Sequence, residues 1–255
     1  MKVMESDTKF AHLGKPGAAF SKGFQRRLDL INKQIDLTNK KILDQGCGEG
    51  VWMSQFAKFT SPENVYGSDI DPESKLNYEL RIKNLENAVP AENYKICAAE
   101  KLDFEDNFFD IVFSNEVLEH VNDDKKSVEE VNRVLKPGGY YIVFTPNSGW
   151  PFETHGIFVN GKYYWGNIPF LPWMPKFIFK KFAPHVRNYS NGEVERLFDK
   201  DKWDIIYHKH VFPGFDGAVR RFGYFGKVLQ WKFHLLEKTP LHFFGISHFI
   251  VAKKK

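Results

Sequence analysis

Three glycines at every second position, Gly46, Gly48 and Gly50, are the residues of this 255-residue chain whose chemistry is most easily named. Glycine lacks a Cβ, tolerates positive φ and lets a ligand lie against the backbone. If a helix follows, its first N–H groups are free to meet that ligand. The segment Asp44-Gln45-Gly46-Cys47-Gly48-Glu49-Gly50 therefore suits a nucleotide-like molecule better than a ligand-free tight turn. A dinucleotide-binding turn reads Gly-x-Gly-x-x-Gly; here the third glycine comes one residue early, which disfavours a pyrophosphate. About 20 residues further on, such a site needs a carboxylate for the ribose hydroxyls, and Asp69 stands there with Ile70 beside it. Asp71 competes for the role, but its position before Pro72 marks it as a helix cap.

Proton transfer near neutral pH calls for histidine or a tuned carboxylate. The candidates are Glu119 and His120, expected at the start of a helix, and His155 in Phe152-Glu153-Thr154-His155-Gly156. Glu119 could instead serve as a helix-start charge and His120 as a packed or solvated ring. Glu119, His120, Glu153 and His155 could also converge on a divalent metal. The i, i+4 histidine spacing of a strong metal motif is missing, so no residue is assigned to a metal.

These residues need a scaffold, and the patterning supplies one. A leading helix is expected over Phe20 to Ile35, after the breakers Gly14, Pro16 and Gly17. Apolar runs at 41–46, 65–69, 94–98, 109–113 and 140–144 read as strands, with helices at 52–59, from Pro72 towards Leu85, and at 124–135. Pro137-Gly138-Gly139 is expected to stop the last of these before the fifth strand. Strict alternation of strand and helix implies an α/β fold of the Rossmann-like, doubly wound kind, with ligands beyond the carboxyl ends of a parallel sheet.

Ile42 to Gly50 resembles the first motif of class I S-adenosylmethionine-dependent methyltransferases. The resemblance continues through Ala99-Glu100-Lys101-Leu102, Phe108 to Val112, Glu116-Val117-Leu118-Glu119-His120-Val121 and Arg133 to Gly139. It spans Lys41 to Pro146 and is strongest to the branch that includes quinone-biosynthesis O-methyltransferases. It implies a mostly parallel seven-stranded sheet with its last strand antiparallel. It also implies S-adenosylmethionine as cofactor and S-adenosylhomocysteine as product. Asp44, Gly46, Cys47, Gly48 and Gly50 would lie along the methionine and ribose, Asp69 and Ile70 at the ribose, Ala99 and Glu100 at the adenine, and Asn115 at the methionine end. Many relatives carry Asp where this chain has Ala98, which leaves the adenine edge to backbone groups or to Glu100.

In-line methyl transfer is mostly positioning, and a hydroxyl acceptor also needs a base, for which His155, His120 and Glu119 are the candidates. The remainder of the chain suggests the acceptor. Residues 147–190 form an aromatic, proline-broken insertion expected to act as a substrate lid, and 191–255 should complete the sheet around a helical insertion at 213–238. Together with an N-terminal helical cap (1–40) and a cofactor core (41–146), this gives one domain over 1–255. Lid and insertion would enclose an apolar pocket for a bulky, partly apolar small molecule such as a prenylated ring, a lipid-linked sugar or a glycan precursor. Lys176, Lys180 and Lys181 interleave with Phe177, Ile178, Phe179 and Phe182, so 165–183 could rest on a membrane, or form an ordinary packed helix with solvated lysines. Arg220 and Arg221 could hold an anion or merely face solvent.

A net charge of +4 gives no electrostatic case for nucleic acid. Two cysteines make no disulfide framework, and no apolar run reaches the roughly 20 residues of a bilayer span. A cytoplasmic protein is expected, with an optional peripheral contact on the inner membrane face. Two other functions remain open: a nicotinamide-dependent oxidoreductase, which the glycine spacing disfavours, and a non-catalytic module that kept the cofactor fold, which would not need Gly46, Gly48, Gly50 and Asp69.

Overall fold

Apolar runs with no polar alternation belong in strands covered on both faces, and the computed structural model, which describes residues 2–3, 22–83, 85 and 88–255, places them so. The main sheet contains β1 (Ile42–Gln45), β2 (Val65–Asp69), β3 (Tyr94–Ile96), β4 (Phe109–Asn115), β5 (Leu135–Pro146), β6 (Trp203–Val211) and β7 (Ser247–Lys254). Its order is β6-β7-β5-β4-β1-β2-β3. The neighbours among β1 to β5 run parallel, and β7 lies antiparallel to both β5 and β6. The strand order reverses between β1 and β4, whose ends are aligned by Gln45 opposite Ser114. A crevice must open there, because the connections leave in opposite directions.

The helices are α1 (Lys22–Asn32), α2 (Val51–Phe56), α3 (Pro72–Ile82), α4 (Asp124–Val134), α5 (Lys176–Phe182), α6 (Asn191–Glu195), α7 (Asp216–Phe222) and α8 (Tyr224–Leu236). The start of the leading helix expected from Phe20, with its breakers, lies outside the described residues. Side chains alternate across each strand, which yields two cores. On one face Leu28, Ile31, Phe56 and Tyr78 from helices pack on Ile42, Phe113, Phe144 and Phe249. On the other, Val128 and Val131 of α4 pack on Leu43, Val112, Tyr141 and Ile250.

Three local departures from the patterning matter. Helix α4 starts at Asp124 as expected, where Asp123 caps it by accepting from Lys126 N, but Glu119 and His120, expected at a helix start, therefore sit in the preceding loop. Pro137-Gly138-Gly139 does not separate helix from strand. Pairing already begins at Leu135 opposite Phe109, and the glycines fill an irregularity where a Cβ on Gly139 would meet the Lys136 carbonyl oxygen at 2.9 Å. The helical insertion expected over 213–238 is broken into α7 and α8 at Gly223, whose φ of 52° and ψ of −118° favour glycine.

The lid carries more regular structure than its prolines suggest. Ile157–Val159 pairs with Lys162–Trp165, and Phe152–Glu153 with Ile168–Pro169, over a small core of Ile157, Leu171, Phe179, Ala183 and Val186.

Candidate active site

The carboxyl end of β1 turns sharply because Gly46, Gly48 and Gly50 all adopt positive φ (73°, 50° and 71°). The turn is held by Gly46 N and Cys47 N donating to the Ser68 carbonyl, and by Gly48 N donating to Asp69 Oδ2 at 2.8 Å. A Cβ on Gly46 would lie 2.3 Å from Val117 Cγ2, and one on Gly50 would lie 2.6 Å from the Tyr78 ring. The first glycine thus admits the loop after β4, and the last admits α3.

A cavity of about 350 Å³ opens over this turn. Gly46, Cys47, Gly48, Asp69, Ile70, Ala99, Glu100 and Asn115 all line it. Asp44 and Gly50 do not: Asp44 is 1% exposed behind the turn, its carboxyl pushed well up by burial and then by the charge of Asp69. Burial likewise raises Asp69, against hydrogen bonds from Asp71 N and Gly48 N. Glu100 accepts from Asn122 N (2.7 Å) and Asp123 N (3.3 Å), so it also braces the loop before α4. Asp71 caps α3 by accepting from Glu73 N and Ser74 N. Phe24 and Trp52, with ring centroids 5.3 Å apart, close one side.

A second cavity of about 440 Å³ adjoins the first, and Phe24, Asn115 and Glu116 line both. Its walls come from the lid (Phe152, His155, Trp165, Pro172), from the approach to α7 (Phe212 to Asp216) and from Arg26 and Arg27 of α1. Helix α8 does not contribute, and Arg220 and Arg221 are exposed away from both cavities. Phe152 and Trp165 make this space partly apolar.

At the junction of the cavities lies a polar cluster whose Arg27 and Ser247 the sequence reading missed. Arg27 donates to Asn115 Oδ1, to Glu116 Oε1 (2.8 Å) and to Ser247 Oγ (3.0 Å), and Ser247 donates to Glu116 Oε1 at 2.8 Å. Glu116 holds φ at 58°, an uncommon value for a residue with a side chain. Burial would raise its carboxyl, but Arg27, His155 and Ser247 hold it below the ordinary value. Glu116 was visible as the first residue of the Glu116 to Val121 motif; nothing in the sequence distinguishes Arg27.

The three base candidates do meet. Glu119 is 1% exposed, and its Oε1 lies 3.9 Å from both His120 Nε2 and His155 Nε2, with ring centroids 5.2 Å apart. Thr145 Oγ1 donates to Glu119 Oε2 at 3.1 Å, while Oε1 is a buried oxygen with no hydrogen-bond donor. Burial, then the charge of Glu116, pushes the Glu119 carboxyl well up. His155 Nδ1 meets Glu153 Oε1 at 2.9 Å. Burial disfavours the charged His155 ring, but Glu153, with help from Glu116, outweighs it and raises the ring above its ordinary value. His120 lacks such a partner: burial, then His155, pushes it down to about 4. The arrangement offers a histidine oriented by a carboxylate in the wall of the second cavity, the form of a general base.

Residues 43–143 match the family model described as "Methyltransferase domain". That match, with the relatives below, supports a class I S-adenosylmethionine-dependent methyltransferase core and speaks against the oxidoreductase reading. Over 122 residues the chain is 38% identical to a ubiquinone biosynthesis O-methyltransferase of Paraburkholderia phymatum, covering 48% of this chain and 50% of that one. The chain thus spans about half the length of the curated relatives it matches. In fold it is similar to an S-adenosylmethionine-dependent methyltransferase from Mesorhizobium loti, with a TM-score of 0.60, 16% identity, and coverage of 94% of this chain and 100% of that one. The [4+2]-cyclase SpnF is similar to the same degree, with a TM-score of 0.59, 18% identity, and coverage of 94% and 84%. At such identities the likeness concerns the fold alone.

Proposed function

We propose that the chain is an enzyme that moves the methyl group of S-adenosylmethionine to a hydroxyl of a bulky, partly apolar small molecule. The observation that carries this reading is the shared wall: the glycine-turn cavity and the lid cavity meet at Asn115 and Glu116, so a sulfonium methyl on one side can face an acceptor oxygen on the other. Asp69 and the bare turn hold the nucleoside, and Asn115 borders the methionine end. The acceptor lies among Phe152, Trp165 and Phe215, with Arg26 and Arg27 within reach of an anionic substituent. His155 Nε2 takes the hydroxyl proton as the carbon–oxygen bond forms and the carbon–sulfur bond breaks. Glu153 fixes the ring and stabilises the imidazolium, and S-adenosylhomocysteine leaves.

A second reading is supported by the convergence of Glu119 Oε1, His120 and His155, which could hold a divalent metal. Glu153 would then orient His155 from behind, and the metal would bind and acidify the acceptor hydroxyl. Chelation followed by metal replacement separates the two readings, since only the second loses and regains turnover.

Membrane contact forms part of the proposal. Trp165, Phe170, Trp173, Met174 and Phe177 are exposed in the lid, as are Phe222, Tyr224, Phe225 and Trp231 on α7 and α8. Between Gly217 and Leu236 there is no acidic residue, and Arg220, Arg221, Lys227 and Lys232 face outward. No helix among the described residues is long and apolar enough to cross a membrane; a surface contact near the acceptor cavity would give access to a lipid-linked acceptor.

The test is incubation with methyl-labelled S-adenosylmethionine and a cell extract divided into lipid, soluble and protein fractions. Label in a lipid or small-molecule fraction, lost when His155 is replaced by Gln, is the expected result. Label confined to protein would overturn the acceptor class, and no transfer together with no cofactor binding would favour the non-catalytic module.

A further inference from the structure

A second cluster of imidazoles lies near one edge of the sheet, and none of its rings lines either cavity. His208 and His210 are two residues apart on β6 and therefore share a face. His248 of β7 stands directly opposite His210. A nitrogen of each of the three rings lies within 4.8 Å of the others, and His210 and His248 are buried. Their outward nitrogens are all occupied, and the other nitrogen of His210, Nδ1, meets His242 Nδ1 at 3.2 Å, a contact that an ion bound there would replace. His208 Nδ1 meets Glu195 Oε1 at 2.9 Å, His248 Nε2 meets the Tyr189 carbonyl at 2.8 Å, and His210 Nε2 meets Asn191 Oδ1 at 2.8 Å. Because a carboxylate and a carbonyl only accept, each fixes a proton on the nitrogen it faces. The inner nitrogens, His208 Nε2 and His248 Nδ1, are then left 2.9 Å apart. Either one of the two rings carries a second proton to fill that gap, or a metal ion fills it. With metal–nitrogen bonds of about 2.0–2.1 Å, two ligands at right angles stand about 2.9 Å apart, whereas a tetrahedral pair stands about 3.4 Å apart.

We propose that His208, His210 and His248 bind a divalent late-transition ion, with Glu195, Tyr189 and Asn191 orienting the ligands from behind. Imidazole ligands suit nickel, copper and zinc alike. Carboxylate or carbonyl partners behind ligating histidines are what built sites possess and chance surface pairs lack. The ion would tie β6 and β7 to α6 and to the chain leaving the lid at Tyr189, whose hydroxyl in turn donates to the Leu118 carbonyl in the loop carrying Glu119. This site does not depend on the proposed reaction.

The experiment is a calorimetric titration of the metal-stripped, full-length protein with nickel(II) and with zinc(II). A His120→Gln/His155→Gln background removes the other cluster that could bind. One saturating equivalent is expected. His208→Gln, at the half-buried rim, should weaken binding at least tenfold. Glu195→Gln, whose side chain is 49% exposed and touches no metal, should weaken it about 10- to 100-fold, the range for outer partners of ligating histidines. Circular dichroism shows that each variant is folded. The proposal is overturned if no saturable binding is seen, or if folded His208→Gln and Glu195→Gln proteins bind as tightly as their parent.

Discussion

Replacing Glu153 by Gln keeps the side chain's shape and an acceptor oxygen for His155 Nδ1, but removes the charge. The contact is 2.9 Å long, and its side chains are only 4% and 19% exposed, so water screens it little. A hydrogen bond with one charged partner contributes about 1.5–3 kcal/mol. If His155 becomes an imidazolium in the transition state, that stabilisation is lost there, and kcat should fall about 10- to 140-fold. The pH profile gives an independent sign. The base must be neutral, so activity rises with pH through the elevated His155 pKa, and loss of the Glu153 charge moves that limb to lower pH. Cofactor affinity should not change, because Glu153 lies outside the glycine-turn cavity. Initial rates from pH 5 to 9, beside a cofactor titration, measure all three. An unchanged kcat with an unmoved acidic limb would refute His155 as the base.

Asp69→Ala should weaken S-adenosylmethionine binding by about 1.5–3 kcal/mol, read by calorimetry, since it removes the proposed ribose acceptor and also frees Gly48 N and Asp71 N. Gly46→Ala should cost about 2–4 kcal/mol of stability in urea unfolding, because it combines a positive φ with a Cβ pressed onto Val117. Changing Phe225 and Trp231 together to Ser should abolish co-sedimentation with anionic vesicles while leaving the melting temperature nearly unchanged, as both rings are exposed. Arg27→Gln should raise KM for the acceptor more than for the cofactor, because Arg27 lines only the acceptor cavity.

What the sequence determined alone is what short stretches of chain dictate. The alternating glycines pointed to positive φ and close approach, the apolar runs to a covered parallel sheet, and Asp71 before Pro72 to a cap; the structure contains all three. The place of Asp69 at the end of β2 was legible because the spacing from turn to second strand end is fixed by one βα unit. The tertiary structure decided what depends on distant chain segments. Glu119 and His155 are 36 positions apart in sequence, and only the folding of the lid over the loop after β4 brings their atoms to 3.9 Å. Arg27 reaches Glu116 from a helix whose pattern signals nothing but amphipathic packing. The three histidines of β6 and β7 are neighbours only because β7 inserts antiparallel between β5 and β6. Periodicity reports which face of an element is buried; it does not report which residue of another element lies opposite, and most of the polar chemistry here is made of such pairs.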